Sequence, residues 1–227
     1  MGVTSTPVVP RRPVDLGKPR LRGWLHAYAF FVAAVAGTVL CVVAATRPGV
    51  TPLVSTIVYS LTVCGLFGVS ALYHRRVWSP RGYQVMRRLD HSMIFVLIAG
   101  TYTPFSVLLL PPPTDRVILA IIWGGALVGV TMKLIWPHAP RWLSAPLYVV
   151  LGWVAVAVLP DLLRAGGVVT FTLIVIGGLV YSVGAVLYAL RRPNPWPSTF
   201  GHHEFFHACT LVAAACHHVA VYFALFA

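Results

Sequence analysis

The sequence contains very few acidic residues. Five Asp and Glu stand against 17 Lys and Arg, and charged residues of both signs make up only 10% of the chain. A soluble domain is about a quarter charged, so this chain has too little charge to cover a water-exposed surface. No C-x-x-C pair is present, and the four cysteines lie inside apolar runs, which is typical of small buried hydrophobic residues.

Long apolar runs dominate the sequence instead, and 58% of the residues are hydrophobic. A helix needs about 20 apolar residues to cross the hydrocarbon core of a bilayer. Seven runs of suitable length are bounded by charge, Pro or Gly: 24–46, 53–74, 91–110, 116–136, 142–160, 168–190 and 202–226. Their connections are short. The pattern predicts an all-α protein of the cell membrane, with one bundle of seven transmembrane helices over residues 23–227.

Residues 1–22 are basic and rich in proline, with four Pro and five Lys or Arg. This composition predicts a disordered tail. The basic residues of the chain fall between apolar runs and form no basic face of a soluble domain, so nucleic acid is not an expected partner. The expected partners are membrane lipids, with the basic residues contacting anionic headgroups at the cytoplasmic face.

The distribution of basic residues predicts the orientation of the bundle. Fourteen of the 17 Lys and Arg fall on one side of the alternating spans. They lie in the tail, in the connections at 75–90, 137–141 and 191–200, and at Lys133. Lys133 can extend its side chain toward the same side as Arg141. The opposite side has only Arg47, Arg116 and Arg164. The N-terminus is therefore predicted to be cytoplasmic and, with seven spans, the C-terminus extracytoplasmic.

Five polar residues are expected to meet at the cytoplasmic ends of three helices. His203 and His207 are four residues apart, so both imidazoles project from one face of the seventh helix. Ser70 and His74 have the same spacing in the last turn of the second helix, and Asp90 opens the third. Three neutral imidazoles with an open fourth position are typical of catalytic zinc. Asp90 is then suited to accept a proton from the water or to fix its orientation, and Ser70 to hydrogen-bond Asp90 or the water.

The chain also resembles a known family in four segments and one further histidine. These are Ser70-Ala-Leu-Tyr-His74, Leu89-Asp90-His91-Ser92, Ile98-Ala-Gly-Thr-Tyr-Thr-Pro104, Phe200-Gly-His-His-Glu-Phe-Phe-His207 and His217. Together they resemble the haemolysin III proteins of bacteria, which are related to the adiponectin and progestin (PAQR) receptors and more distantly to alkaline ceramidases. The resemblance implies Zn²⁺ held by His74, His203 and His207, with Asp90 binding through water. It also implies a hydrolase fold of seven spans with a cytoplasmic N-terminus.

Two motifs allow other interpretations. The segment 203–207 matches H-E-x-x-H, in which Glu204 would be the general base of a metalloprotease. The alternative is that Glu204 is a polar residue of the first helical turn, favoured there by the helix dipole. His217 lies deeper in the seventh helix and is expected to be a neutral histidine hydrogen-bonded across the bundle.

Three hypotheses for function follow. The first is a zinc-dependent hydrolase of a lipid amide or ester, in which Asp90 and Ser70 are catalytic. The second is a membrane sensor or homeostasis factor without enzymatic activity, in which zinc only holds helices 2, 3 and 7 together. The third is a haemolytic, cytolytic membrane protein, as the name of the family suggests, although nothing in the sequence resembles a secreted toxin that refolds into membranes.

Overall fold

The computed structural model describes residues 19–136 and 141–227, except for the side chains of residues 141, 142, 144 and 145. Residues 1–18 of the predicted tail, and most of the predicted basic connection at 137–141, lie outside this description. The described chain forms seven helices: α1 Trp24–Ala45, α2 Thr51–Arg75, α3 Pro80–Leu109, α4 Thr114–Ile135, α5 Arg141–Gly152, α6 Leu159–Leu190 and α7 His202–Ala224. A 3₁₀ segment, Trp153–Val158, joins α5 to α6. These described residues include no β-strand.

The outward faces of the helices are apolar. On α1, the side chains of Phe31, Val32 and Val35 are each 68% exposed. Apolar surface of this extent is unfavourable in water and favourable in hydrocarbon. Six stretches of the described chain are long and apolar enough to cross a membrane: Trp24–Ala45, Thr51–Arg75, Pro80–Leu109, Thr114–Ile135, Pro146–Leu190 and His202–Ala224. The chain is thus a helical, multi-pass protein of the cell membrane.

The longest of these stretches, Pro146–Leu190, folds back on itself. The indole Nε1 of Trp153 donates a hydrogen bond of 2.8 Å to Ser182 Oγ. In one straight helix these residues would lie about 43 Å apart, at 1.5 Å per residue. The reversal lies at Gly167, whose φ of 73° and ψ of 174° interrupt α6 and favour glycine. The break separates the two predicted runs 142–160 and 168–190.

The packing of α2 against α3 positions the candidate site. A Cβ atom at Gly100 of α3 would collide with the side chain of Thr62 on α2, so the absence of a side chain permits close approach. From this crossing, Ser70 is about two helical turns further along α2 and Asp90 about three turns back along α3. Because the two helices run in opposite directions, both residues lie toward the same end of the bundle.

Lys133 lies in the last turn of α4 and is buried, with only 3% of the residue exposed. The Nζ atom lies 5.8 Å from the centre of the Tyr148 ring on α5. Packing of α5 against the end of α4 therefore covers this lysine, a tertiary contact that the hydropathy of α4 alone does not reveal.

Candidate metal centre

Three histidine side chains meet between the end of α2 and the start of α7. The Nε2 atoms of His74 and His203 lie 3.1 Å apart. One nitrogen from each of His74, His203 and His207 lies within 4.8 Å of the corresponding nitrogens of the other two. His203 and His207 occupy the same face of α7, one turn apart, as their spacing predicts. The three predicted imidazoles are therefore gathered at one place.

The donor set fits a divalent cation that prefers imidazole. Zinc binds histidine nitrogen at about 2.0–2.1 Å, and a tetrahedral arrangement then separates two nitrogens by about 3.4 Å. The His74 to His203 separation is close to this value, and the third donor is within the range that a side-chain rotation covers. His74 and His207 are buried. Burial favours neutral imidazoles, which are the form that ligates a metal.

Ser70 and Asp90 form a second polar group one helical turn from the histidines. Ser70 is buried, and its side chain lies beside the Asp90 carboxylate. The Nδ1 atom of His91 lies 3.7 Å from Asp90 Oδ2. Ser70 precedes His74 by one turn of α2, which is about 6 Å along the helix axis. The structure thus pairs the two residues predicted to be catalytic.

Glu204 is engaged in structural contacts. Its side chain is 1% exposed, and its Oε1 atom accepts an ion-pair contact from the Nε of Arg22. Its Oε2 atom accepts a hydrogen bond of 2.8 Å from the backbone N–H of Gly201, where α7 begins. A carboxylate with both oxygens engaged holds the start of a helix. These contacts favour the structural interpretation of Glu204 over the protease hypothesis.

The segment that precedes α1 is part of the surroundings of the cluster. The backbone N–H groups of Arg20 and Leu21 donate to the carbonyls of Ser198 and Thr199, at 3.0 and 3.2 Å. Gly23, with a φ of +78°, then turns the chain so closely past α2 that an added Cβ would lie 2.7 Å from the Cβ of His74. The start of α1 is therefore fixed against both helices that carry the histidines.

A fourth histidine, His26 of α1, adjoins the cluster without having been predicted. Its ring stacks on that of His207, with centroids 3.7 Å apart and planes inclined by 8°. Its side chain is 3% exposed. No spacing rule connects it with α7, because the two residues are far apart in sequence. The sequence feature that could have indicated His26 is an ionisable residue in the first turn of an apolar run, where such residues are uncommon.

His217 stands apart from the cluster. Its Nε2 atom lies 3.2 Å from the carbonyl oxygen of Ile174 on α6. Its ring packs over Gly177, where a Cβ atom would collide with it. The predicted histidine hydrogen-bonded across the bundle is therefore confirmed.

Comparison with known proteins identifies relatives along most of the chain. The family described as Haemolysin-III related matches residues 14–218. The chain is 29% identical to the Hemolysin-3 homolog of Bacillus subtilis (strain 168) over 198 residues, which cover 87% of this chain and 90% of that protein. It is 30% identical to Hemolysin-3 of Bacillus cereus over 162 residues, covering 71% and 74% of the two chains.

A plant protein extends the similarity to a wider group. The chain is 32% identical to the Heptahelical transmembrane protein ADIPOR2 of Oryza sativa subsp. japonica over 158 residues, which cover 63% of this chain and 69% of that protein. The similarity supports the wider superfamily that includes the adiponectin-type receptors.

Proposed function

Because this chain belongs to the haemolysin III-related family and its structure gathers three imidazoles inside a membrane protein, we propose that it is a zinc-dependent hydrolase of a lipid amide or ester. The mutual proximity of nitrogen donors from His74, His203 and His207 is the observation that carries the proposal. All three belong to helices that are long and apolar enough to span a membrane.

The chemistry follows from the residues around the histidines. Zinc supplies the Lewis acidity that activates water and polarises a carbonyl group. As the oxygen of water bonds to the carbonyl carbon, the Asp90 carboxylate accepts the proton. Asp90 then gives this proton to the leaving nitrogen or oxygen as the C–N or C–O bond breaks. Ser70, which lies beside the carboxylate, would hold it in position by donating a hydrogen bond.

The proposal includes seven spans, a cytoplasmic N-terminus and an extracytoplasmic C-terminus. The hydrogen bond between Trp153 and Ser182 supports two passes within Pro146–Leu190. The plant relative is named a heptahelical protein. The excess of basic residues supports the orientation. Reporter fusions test this orientation. A reporter that is active only in the cytoplasm should be active when fused after Arg192, and a reporter that is active only outside the cytoplasm should be active when fused after Ala227.

A structural role for the metal is the second candidate. α2 packs chiefly against α1 and α3, whereas α7 packs chiefly against α6. The histidines therefore join two helices that share little other contact. Under this hypothesis the protein is a membrane sensor or homeostasis factor, and the ion only holds α2 and α7 together.

Lipid hydrolysis by purified protein separates the two candidates. Wild-type protein in lipid nanodiscs is offered a ceramide and a diacyl phospholipid, with Asp90→Ala as the comparison. The enzyme hypothesis predicts product from the wild type and a loss of about 10²- to 10⁴-fold in Asp90→Ala, the usual contribution of a general base, with metal and helical content retained. A zinc-containing wild type that yields no product from these lipids supports the structural role. Lipidomics of a deletion strain beside an Asp90→Ala strain extends the search, because the substrate should accumulate in both.

A further inference from the structure

His26 is a polar side chain in a buried, aromatic environment that an apolar ring would fill equally well. It is 3% exposed, and neither of its ring nitrogens has a hydrogen-bond partner among the described residues. Its neighbours are the His207 ring on one side and the Phe67 ring, whose centroid is 5.0 Å away. A phenylalanine fills such an aromatic position equally well and carries no polar atoms. An imidazole without a partner costs free energy here, so a molecule bound in the site is the natural source of the missing hydrogen bond.

The stacking geometry indicates where that molecule would lie. The rings of His26 and His207 are inclined by only 8°, with their centroids 3.7 Å apart. Because the planes are nearly parallel and the centroids are close, the two rings form adjacent layers of one stack. A molecule bound at the edge of the His207 ring is therefore within reach of the His26 ring. The set of mutually close donors comprises His74, His203 and His207 without His26, so His26 is placed to hydrogen-bond rather than to ligate the ion.

We propose that His26 is a substrate-binding residue of the metal centre, whose ring nitrogen hydrogen-bonds the small polar molecule, water or the carbonyl group of a lipid amide or ester, held beside His207. This inference rests on the proposed metal centre and adds a ligand-binding residue from α1 to it. It also gives a role to the hydrogen bonds made by the segment before α1. The contacts of Arg20 and Leu21 with residues 198–199 hold α1 in the position that brings His26 over His207.

Binding of azide to cobalt-substituted protein tests the role of His26 without any assay of activity. Cobalt(II) reports its ligands through its visible absorption, and azide is a small anion that accepts a hydrogen bond. The variants are His26→Phe, which keeps an aromatic ring and removes both nitrogens, and His26→Gln, which keeps a hydrogen-bonding group. The matched control is His218→Phe, because His218 also lies among aromatic rings, 5.9 Å from Tyr59 and 5.3 Å from Tyr222, but away from the cluster.

The expected result is that all four proteins bind cobalt, and that azide binds about tenfold more weakly to His26→Phe than to wild type or to His218→Phe. Tenfold is the effect of losing one hydrogen bond. His26→Gln should stay within about threefold of wild type, because it keeps a hydrogen-bonding group. If His26→Phe lacks native helical content, His26→Leu, which also removes both ring nitrogens, takes its place.

Three results would overturn the proposal. Equal azide affinity of His26→Phe and wild type would reduce His26 to a packing residue, with the metal centre intact. Loss of cobalt from His26→Phe alone would assign His26 to the metal ligands. Failure of the wild type to bind cobalt or zinc would remove the proposed metal centre and this inference together.

Discussion

The Nε2 atoms of His74 and His203 lie 3.1 Å apart, although 129 residues separate them in the sequence. His207 brings a third imidazole within 4.8 Å of both. Several imidazole lone pairs directed at one small volume repel each other unless a proton or a cation lies between them. A shared cation satisfies all three at once, and the following predictions test how the surrounding residues maintain this arrangement.

Gly23→Ala should disturb the histidine cluster through a contact with His74. The added Cβ would lie 2.7 Å from His74 Cβ, and a φ of +78° is itself unfavourable for alanine, by about 1 kcal/mol. Gly49 is a matched control, because it has the same φ of +78° with no atom within 4 Å of the added Cβ. Gly49→Ala should therefore lower only the melting temperature, whereas Gly23→Ala should also lower zinc affinity in competition with a chelator. Equal zinc affinity in the two variants would contradict a structural link between Gly23 and His74.

The ion pair between Arg22 and Glu204 should respond asymmetrically to substitution. Arg22 is 20% exposed and Glu204 only 1%. When Glu204→Gln removes the acid, the guanidinium can turn toward water and Gln can still accept from Gly201. When Arg22→Met removes the base, a buried carboxylate loses its charged partner, which costs about 1–3 kcal/mol. Thermal unfolding in detergent should therefore show Arg22→Met as the less stable variant.

The same pair also tests the protease hypothesis. Glu204→Gln should retain zinc and lipid hydrolysis, because Glu204 holds the start of α7 and does not take the proton. An inactive but folded, zinc-containing Glu204→Gln variant would instead assign the general base to Glu204.

Ser70→Ala should slow hydrolysis about tenfold, the value of one hydrogen bond to a charged group, and should leave zinc bound. Ser92→Ala is the matched control. Ser92 is also buried, lies two residues after Asp90 on α3, and has no hydrogen-bond partner among the residues described. Turnover of a lipid amide or ester measures both, and equal rates for the two variants would exclude a role of Ser70 in orienting Asp90.

Local sequence rules account for the parts of the site that lie within one helix. The spacing of four residues places His203 with His207, and Ser70 with His74, because the helical period fixes which side chains share a face. Hydropathy likewise predicts the apolar parts of the helices, but it does not predict the polar turns by which a helix continues beyond its apolar run. α3 begins at Pro80 rather than near residue 91, because Ser79 caps the helix by accepting from Gly82 N at 3.2 Å, well before the apolar run.

Contacts between distant helices could not be predicted in the same way. Two contacts depend on how α1 and the segment before it pack against α7. They are the stacking of His26 on His207 and the ion pair between Arg22 and Glu204. No periodicity relates such residues, and an isolated histidine in an apolar run is compatible with many environments. Lys133 shows the same limit, since its approach to the Tyr148 ring on α5 is a contact between two helices.

Metal content tests the central claim most directly. Wild-type protein purified without chelators, His203→Ala, His207→Ala and the control His218→Ala are analysed for zinc by mass spectrometry of the digested protein. A three-imidazole site predicts about one zinc per chain in the wild type and in His218→Ala, and little or none in the other two. A wild type without bound metal, or a His203→Ala variant that retains as much zinc as the wild type, would contradict the account.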